Sequence, residues 1–181
     1  DPEAGSDRGD ASCRICGASV SADDVKALGK AGEIDVELMG MAMVRRGSRG
    51  KTYLGSEEAA PFVPNRDRTR YLLLQLSQVG IQPPMVRLTT EDPRNIWAPT
   101  YGYETVASLF NDRQLATLLS LCHQVGRAHE AMLGEGMDPE RAKAVATFLA
   151  MAVDRVADRG STLTHWDSTR ETTENTFARQ A

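Results

Sequence analysis

Residues 111–134 read NDRQLATLLSLCHQVGRAHEAMLG, and residues 138–160 read DPERAKAVATFLAMAVDRVADRG. These two stretches decide the fold class. In the first, Asn111 precedes Asp112 and stands three residues ahead of Gln114, an Asn-led form of the capping box. There the cap side chain accepts an orphan N–H of the first turn while the glutamine reaches back to the cap. Leu115, Leu118, Leu119, Cys122, Val125, Gly126 and His129 then share one helical stripe. Gly134 and Gly136 stop it. In the second stretch Asp138 is the cap, and Pro139 takes the first helical position, where its missing N–H costs nothing. Ala142, Val145, Ala146, Leu149, Val153, Val156 and Ala157 recur at spacings of three and four. Phe148, Met151 and Ala152 widen that face, which predicts a central helix buried on several sides and ended by Gly160. The short glycine loop between the stretches predicts an antiparallel pair.

Outward from this pair, Pro61 and Pro64 precede a predicted helix over about 67–79, ended by Gly80. Pro83, Pro84, Pro93 and Pro99 impose an extended, loop-like connection to Gly102. A last helix is predicted from about 168 to 181. Nearer the N-terminus, Val36 to Arg46 reads as a strand, with Val36, Leu38, Gly40, Ala42 and Val44 on one face and Met39, Met41 and Met43 on the other. The turn from Arg45 to Lys51 contains Gly47 and Gly50, and Thr52-Tyr53-Leu54 resumes extended structure. That is a β-hairpin with a basic tip. Ser21 caps a short helix to about Ala31, with Asp23 and Asp24 in its first turn and Gly32 after it. The expectation is an α+β fold: a mostly helical body with an N-terminal β-hairpin and a zinc-ribbon-like knuckle. The chain divides into a polar tail (1–12) without apolar period, a knuckle, helix and hairpin (13–55), a helix and proline-rich connection (56–102) and a helical domain (103–181).

Bulk composition bounds the function. Hydrophobic residues make up 41% of 181, enough for a packed core, and charged residues make up 25%. The net charge is −4, whereas a free-standing nucleic-acid binder usually carries a strong basic excess, so autonomous tight DNA binding is not expected. No stretch has the roughly 18 apolar residues of a membrane span, and no secretion signal is legible. Three cysteines, Cys13, Cys16 and Cys122, form a poor disulfide framework, which fits a reducing, cytoplasmic setting.

The sharpest motif is Cys13-Arg14-Ile15-Cys16-Gly17. Two thiolates at this spacing can reach one tetrahedral Zn²⁺, and the glycine relieves the tight turn. Zinc needs four ligands, so the pair reads either as half of a metal knuckle or as two reduced cysteines in a turn. Arg45, Arg46, Arg49 and Lys51 form either a phosphate-contacting tip or a solvated turn. Asp154 and Arg155 on the predicted buried helix require partners. His123, His129 and His165 fit no nucleophile elbow or metal-protease motif. The Asp-Pro-Pro-Tyr or Asn-Pro-Pro-Tyr string that holds a flipped adenine does not occur, nor does a glycine-rich cofactor loop after a strand.

Several segments, in order, resemble the large adenine-specific DNA methyltransferases that contain a zinc-ribbon domain, some of which sit in anti-phage defence clusters. They are Cys13-Arg-Ile-Cys-Gly17, Arg49-Gly-Lys-Thr-Tyr53, Asn95-Ile-Trp-Ala-Pro-Thr-Tyr-Gly102, Leu109-Phe-Asn-Asp-Arg-Gln-Leu115, Ala144 to Arg155, and Phe177-Ala-Arg-Gln-Ala181. The resemblance implies a segment between an upstream S-adenosylmethionine motif and a downstream Asp-Pro-Pro-Tyr motif. It carries over Cys13 and Cys16 as zinc-ribbon positions and no catalytic residue; the family's second cysteine pair would lie upstream. The expected function is an internal, non-catalytic domain that scaffolds the enzyme or positions DNA. Its partners would be the rest of the methyltransferase and, through it, DNA. Zinc would belong to the intact protein and S-adenosylmethionine to the parent enzyme. The alternative is a free-standing helical interaction module.

Overall fold

The computed structural model describes residues 6–7, 10–13, 15–44, 46–47, 49–89, 91, 97–174 and 176–177; of Ser6, Asp7, Ala11 and Trp97 only the backbone is described. In chain order the elements are β1 (Ser6–Asp7), β2 (Asp10–Ser12), β3 (Ser19–Val20), α1 (Ala22–Ala31), β4 (Gly40–Met43), β5 (Thr52–Gly55), α2 (Ser56–Ala59), α3 (Arg66–Gln78), α4 (Trp97–Thr100), α5 (Asp112–Gly134), α6 (Pro139–Arg159), β6 (His165–Asp167) and β7 (Thr172–Glu174). Short 3-10 turns lie at Ala60–Phe62 and Ala107–Leu109. Helix far exceeds strand and the strand pairs are antiparallel, which is the mostly helical α+β class expected. Two compact units interleave along the chain. One comprises the described residues of 1–35 and 84–109; the other comprises those of Val36–Pro83 and Phe110–Phe177.

In the first unit, β1, β2 and β3 form a small meander, so the described part of the polar tail is paired rather than patternless. Asp10 Oδ1 accepts the Ala22 N–H at 2.8 Å and ties β2 to the start of α1. Ser21 and Asp24 complete a reciprocal capping box: each side chain accepts the other's backbone N–H. The Ser21 hydroxyl and N–H hold the Asp24 carboxyl below its usual range. The proline-rich stretch is not simply extended. It folds back on itself, with Leu88 N–H donating to Glu104 O and Val106 N–H to Val86 O, both at 2.9 Å, and α4 adds one helical turn. α1 crosses the α4 end through bare backbone. A Cβ on Gly29 would strike the Tyr101 carbonyl, and one on Gly102 (φ +91°) would strike the Gly29 carbonyl. Glycine is required at both.

In the second unit, α5 packs against α3 on one flank and α6 on another. The expected caps are present: Asn111 with Gln114, and Asp138 accepting the Arg141 N–H at 3.0 Å. Asn65 caps α3, accepting the Arg68 N–H at 2.8 Å. On α5 Leu115, Leu118, Leu119, Val125 and His129 of the predicted stripe are shielded, but the rotation of the helices departs from expectation elsewhere. On α5 the buried residues are Ala116 and Leu119, while Cys122 and Gly126 of the predicted stripe are exposed. On α6 only Ala142 is buried, and Ala146, Val153 and Ala157 are half-buried. Val145, Phe148, Leu149, Met151 and Val156 are exposed, so α6 is not the central, surrounded helix that its breadth predicted. It packs through its small side chains.

Two hairpins complete this unit. β4 and β5 pair Gly40 with Gly55 and Met43 with Thr52, a shorter strand than the predicted 36–46. One face of β4 is covered: Met41 and Met43 are shielded, whereas Gly40, Ala42 and Val44 are exposed. Alternation alone does not say which face is covered. The predicted C-terminal helix is absent over the described residues 168–177, where the β6–β7 hairpin stands instead. Asp167 Oδ1 accepts the N–H groups of Thr169 (2.8 Å) and Arg170 (3.1 Å), an aspartate turn that competes with helix initiation, and Thr172 and Thr173 favour strand. The hairpin is tied to the α6 end by Thr173 Oγ1 and Thr176 Oγ1, which donate to the Arg159 and Asp158 carbonyls, each at 2.7 Å.

The α1 crossing gives a test. Gly29→Ala is expected to destabilise by about 1–3 kcal/mol through overpacking, whereas Gly126→Ala, with nothing within 4 Å, is expected to be neutral or to stabilise by up to ~1 kcal/mol. Thermal unfolding followed by circular dichroism checks the contrast; equal midpoints would contradict the close backbone approach.

Candidate functional site

The knuckle occupies the turn between β2 and β3. Cys13 N–H donates to the Ala18 carbonyl and Gly17 N–H to the Cys13 carbonyl, both at 2.8 Å, and Gly17 has φ +71°. That closure turns the chain back so that the N–H groups of Cys16 and Ile15 face the Cys13 sulfur. These donors, the Cys16 N–H first, hold the Cys13 thiol below its ordinary range, with help from the Cys16 thiol. Both sulfurs are free and exposed. A zinc ligand must be a thiolate, and two cysteines at this spacing could supply two corners of a tetrahedral site. Among the described residues no group of three or more His, Cys, Asp or Glu is placed to hold a metal, so the other corners need ligands from elsewhere. Cys122 and His123, on α5 in the other unit, belong to no such group. The Cys122 thiol is raised, by burial first and then by the charge of Asp154.

The basic residues divide. Arg46 and Arg49 are exposed in the β4–β5 turn, with Gly47 and Gly50 at positive φ reversing the chain beside them; Arg45 lies outside the described residues. Lys51 is not at the open tip. Its ammonium donates to the Glu171 carbonyl, lies 3.9 Å from the Glu171 carboxylate and sits 5.8 Å above the Trp166 ring. Tyr53 meets Trp166 edge to face at 6.3 Å. Its phenol is held above its usual range, by loss of hydration first and then by the hydrogen bond to Glu171 and that group's charge. Lys51, Tyr53, Trp166 and Glu171 thus clasp the two hairpins together. The sequence reading missed this clasp because it placed 168–181 in a helix. The alternating Thr162, Thr164 and Trp166 ahead of Asp167-Ser-Thr was the available signal.

Asp154 and Arg155, expected to need partners in a buried helix, are both exposed, and Arg155 lies 3.7 Å from Asp158 one turn on. His123 and His129 are half-buried on α5, and His165 is exposed opposite Glu174.

Two outcomes follow from this geometry. Cys13 holds more thiolate than an ordinary cysteine at neutral pH and Cys122 less, so iodoacetamide is expected to alkylate Cys13 well before Cys122, as read by peptide mass spectrometry over time. Equal rates would contradict the knuckle geometry. Trp166→Ala is expected to raise amide exchange in 165–174 and 52–55 while leaving α5 protected, because the clasp joins hairpins and not helices.

Comparison with protein-family models, curated proteins and solved structures returned no match.

Proposed function

We propose that this chain is a non-catalytic scaffold of an adenine-specific DNA methyltransferase, holding parts of that enzyme in place and offering the Arg46–Arg49 turn to DNA phosphates. The observation that carries this reading is the uncovered apolar face of α6. Phe148 is 73% exposed and Val156 42%, on a helix whose ends are well capped. A well-formed helix with bulky side chains left in water is a surface awaiting polypeptide. Covering five such residues is favourable by several kcal/mol, on the order of 25 cal/mol per Å² of apolar area. The ordered resemblance supplies the kind of enzyme. In that reaction S-adenosylmethionine would supply the methyl group that the exocyclic amine of adenine accepts. S-adenosylmethionine and the groups that hold adenine are assigned to the rest of the enzyme. Cys13 and Cys16 would supply two thiolates to a zinc whose other ligands would come from that same remainder.

The second reading, a free-standing helical interaction module, draws on the same α6 face. The two part on activity, since the module requires no methyltransferase in the same reading frame.

The test is a salt-dependent DNA titration of the 181-residue chain beside the intact enzyme, with a methylation assay on both. The chain alone is expected to bind DNA weakly and to transfer no methyl group. In the intact enzyme, Arg46→Ala with Arg49→Ala is expected to flatten the plot of log affinity against log salt by about 2, one unit for each phosphate no longer neutralised. Methyl transfer by the chain alone, or an unchanged slope in the double variant, would overturn the corresponding half of the reading.

A further inference from the structure

α6 has three sides. At roughly 100° per residue, Ala142, Ala146, Val153 and Ala157 make the shielded side that faces α5. Next to it runs the uncovered stripe of Val145, Phe148, Leu149, Ala152 and Val156. At the outer edge of the stripe, turned from its centre by about 40–80° and in line with Phe148, stand Arg141, Arg155 and Arg159, all exposed, with Arg155 3.7 Å from Asp158. The acidic residues Glu140, Asp154 and Asp158 lie farther round, about 140–180° from the stripe. The stripe therefore runs from the α5 seam to an outer edge on which arginines stand before and after Phe148. At its C-terminal end Arg155, Val156, Arg159 and Gly160 line an open hollow of about 560 Å³.

We propose that this stripe receives an amphipathic helix with an acidic edge, contributed by another segment of the enzyme that this chain scaffolds. The inference rests on the scaffold reading and names its partner's chemistry. Apolar side chains at spacings of three and four cover Phe148, Leu149 and Val156, and a carboxylate row meets Arg141, Arg155 and Arg159. Arginine is among the residues enriched where binding energy concentrates at such contacts. The arginine row gives the groove a sign, because a helix with a lysine edge would bring like charges together. A helix in a groove is anchored at i, i+3, i+4 and i+7, which matches the spacing of the α6 stripe.

The experiment uses the full chain and two synthetic helical peptides of about 18 residues, five turns long. Both carry the same leucine stripe; one has glutamate along one edge and the other lysine. Fluorescence anisotropy is expected to show the glutamate peptide binding at least about tenfold tighter than the lysine peptide, with the advantage shrinking as salt rises. The triple variant Arg141→Glu, Arg155→Glu, Arg159→Glu is expected to reverse the preference, and Phe148→Ser to weaken both peptides. All four positions are exposed, so circular dichroism is expected to match the parent chain. Equal binding of the two peptides, binding of neither, or a preference unmoved by the triple variant would overturn the proposal. So would self-association in sedimentation velocity that Phe148→Ser abolishes, because the occupant would then be a second copy. A charge-dependent preference in a chain whose intact enzyme shows no methylation would keep the groove and sink only the enzyme assignment.

Discussion

Everything in the larger unit depends on α6 docking to α5 through small side chains. Ala142 is fully buried, and its neighbours along that face, Ala146, Val153 and Ala157, are small or β-branched. Small residues let two helices approach closely, but each contributes little apolar area, so the seam is narrow. The bulk of α6 lies outside it. That choice of face turns a helix with apolar residues over most of its circumference into a support with a sticky outer side.

The rest of that unit reinforces the support. α3 holds α5 from another flank, and an exposed ion pair, Arg70 with Asp112 at 3.8 Å, spans them. Such a pair adds at most about 1 kcal/mol, so apolar contact between the helices carries the packing. The β6–β7 hairpin returns to the α6 end, and the clasp of Lys51, Tyr53, Trp166 and Glu171 draws in the β4–β5 hairpin. Engaging Lys51 leaves Arg46 and Arg49 as the cations open to solvent in the described part of the turn, which limits the phosphate contacts that this turn can make.

The knuckle in the smaller unit follows a different logic. Its turn is shaped by backbone hydrogen bonds and a left-handed glycine, and the N–H groups it turns inward stabilise thiolate at Cys13. The charge state that a metal ligand needs is thus partly prepared by local backbone geometry, before any other ligand arrives. The completeness of a metal site is a separate matter, settled by which side chains meet in space.

Local sequence determined where most of the helices begin and end. Ser21, Asn111 and Asp138 cap helices as read, and Pro139 and the glycines mark their limits, because capping is chemistry between residues three or four apart. Asn65 caps α3 by the same rule. The Cys13–Gly17 turn and the basic β4–β5 hairpin were legible for the same reason. Which face of α6 is inside was not legible, since apolar residues cover most of its circumference and rotation about its axis depends on what stands next to it. The inner face of β4 is undecided by sequence for the same reason, because Met41 and Ala42 both suit either side. The β6–β7 hairpin was misread because its stability comes from non-local partners, Lys51, Tyr53 and the α6 end, against a weak local preference. Tertiary structure decided those questions because burial is a property of pairs of surfaces, and a linear sequence states only one member of each pair.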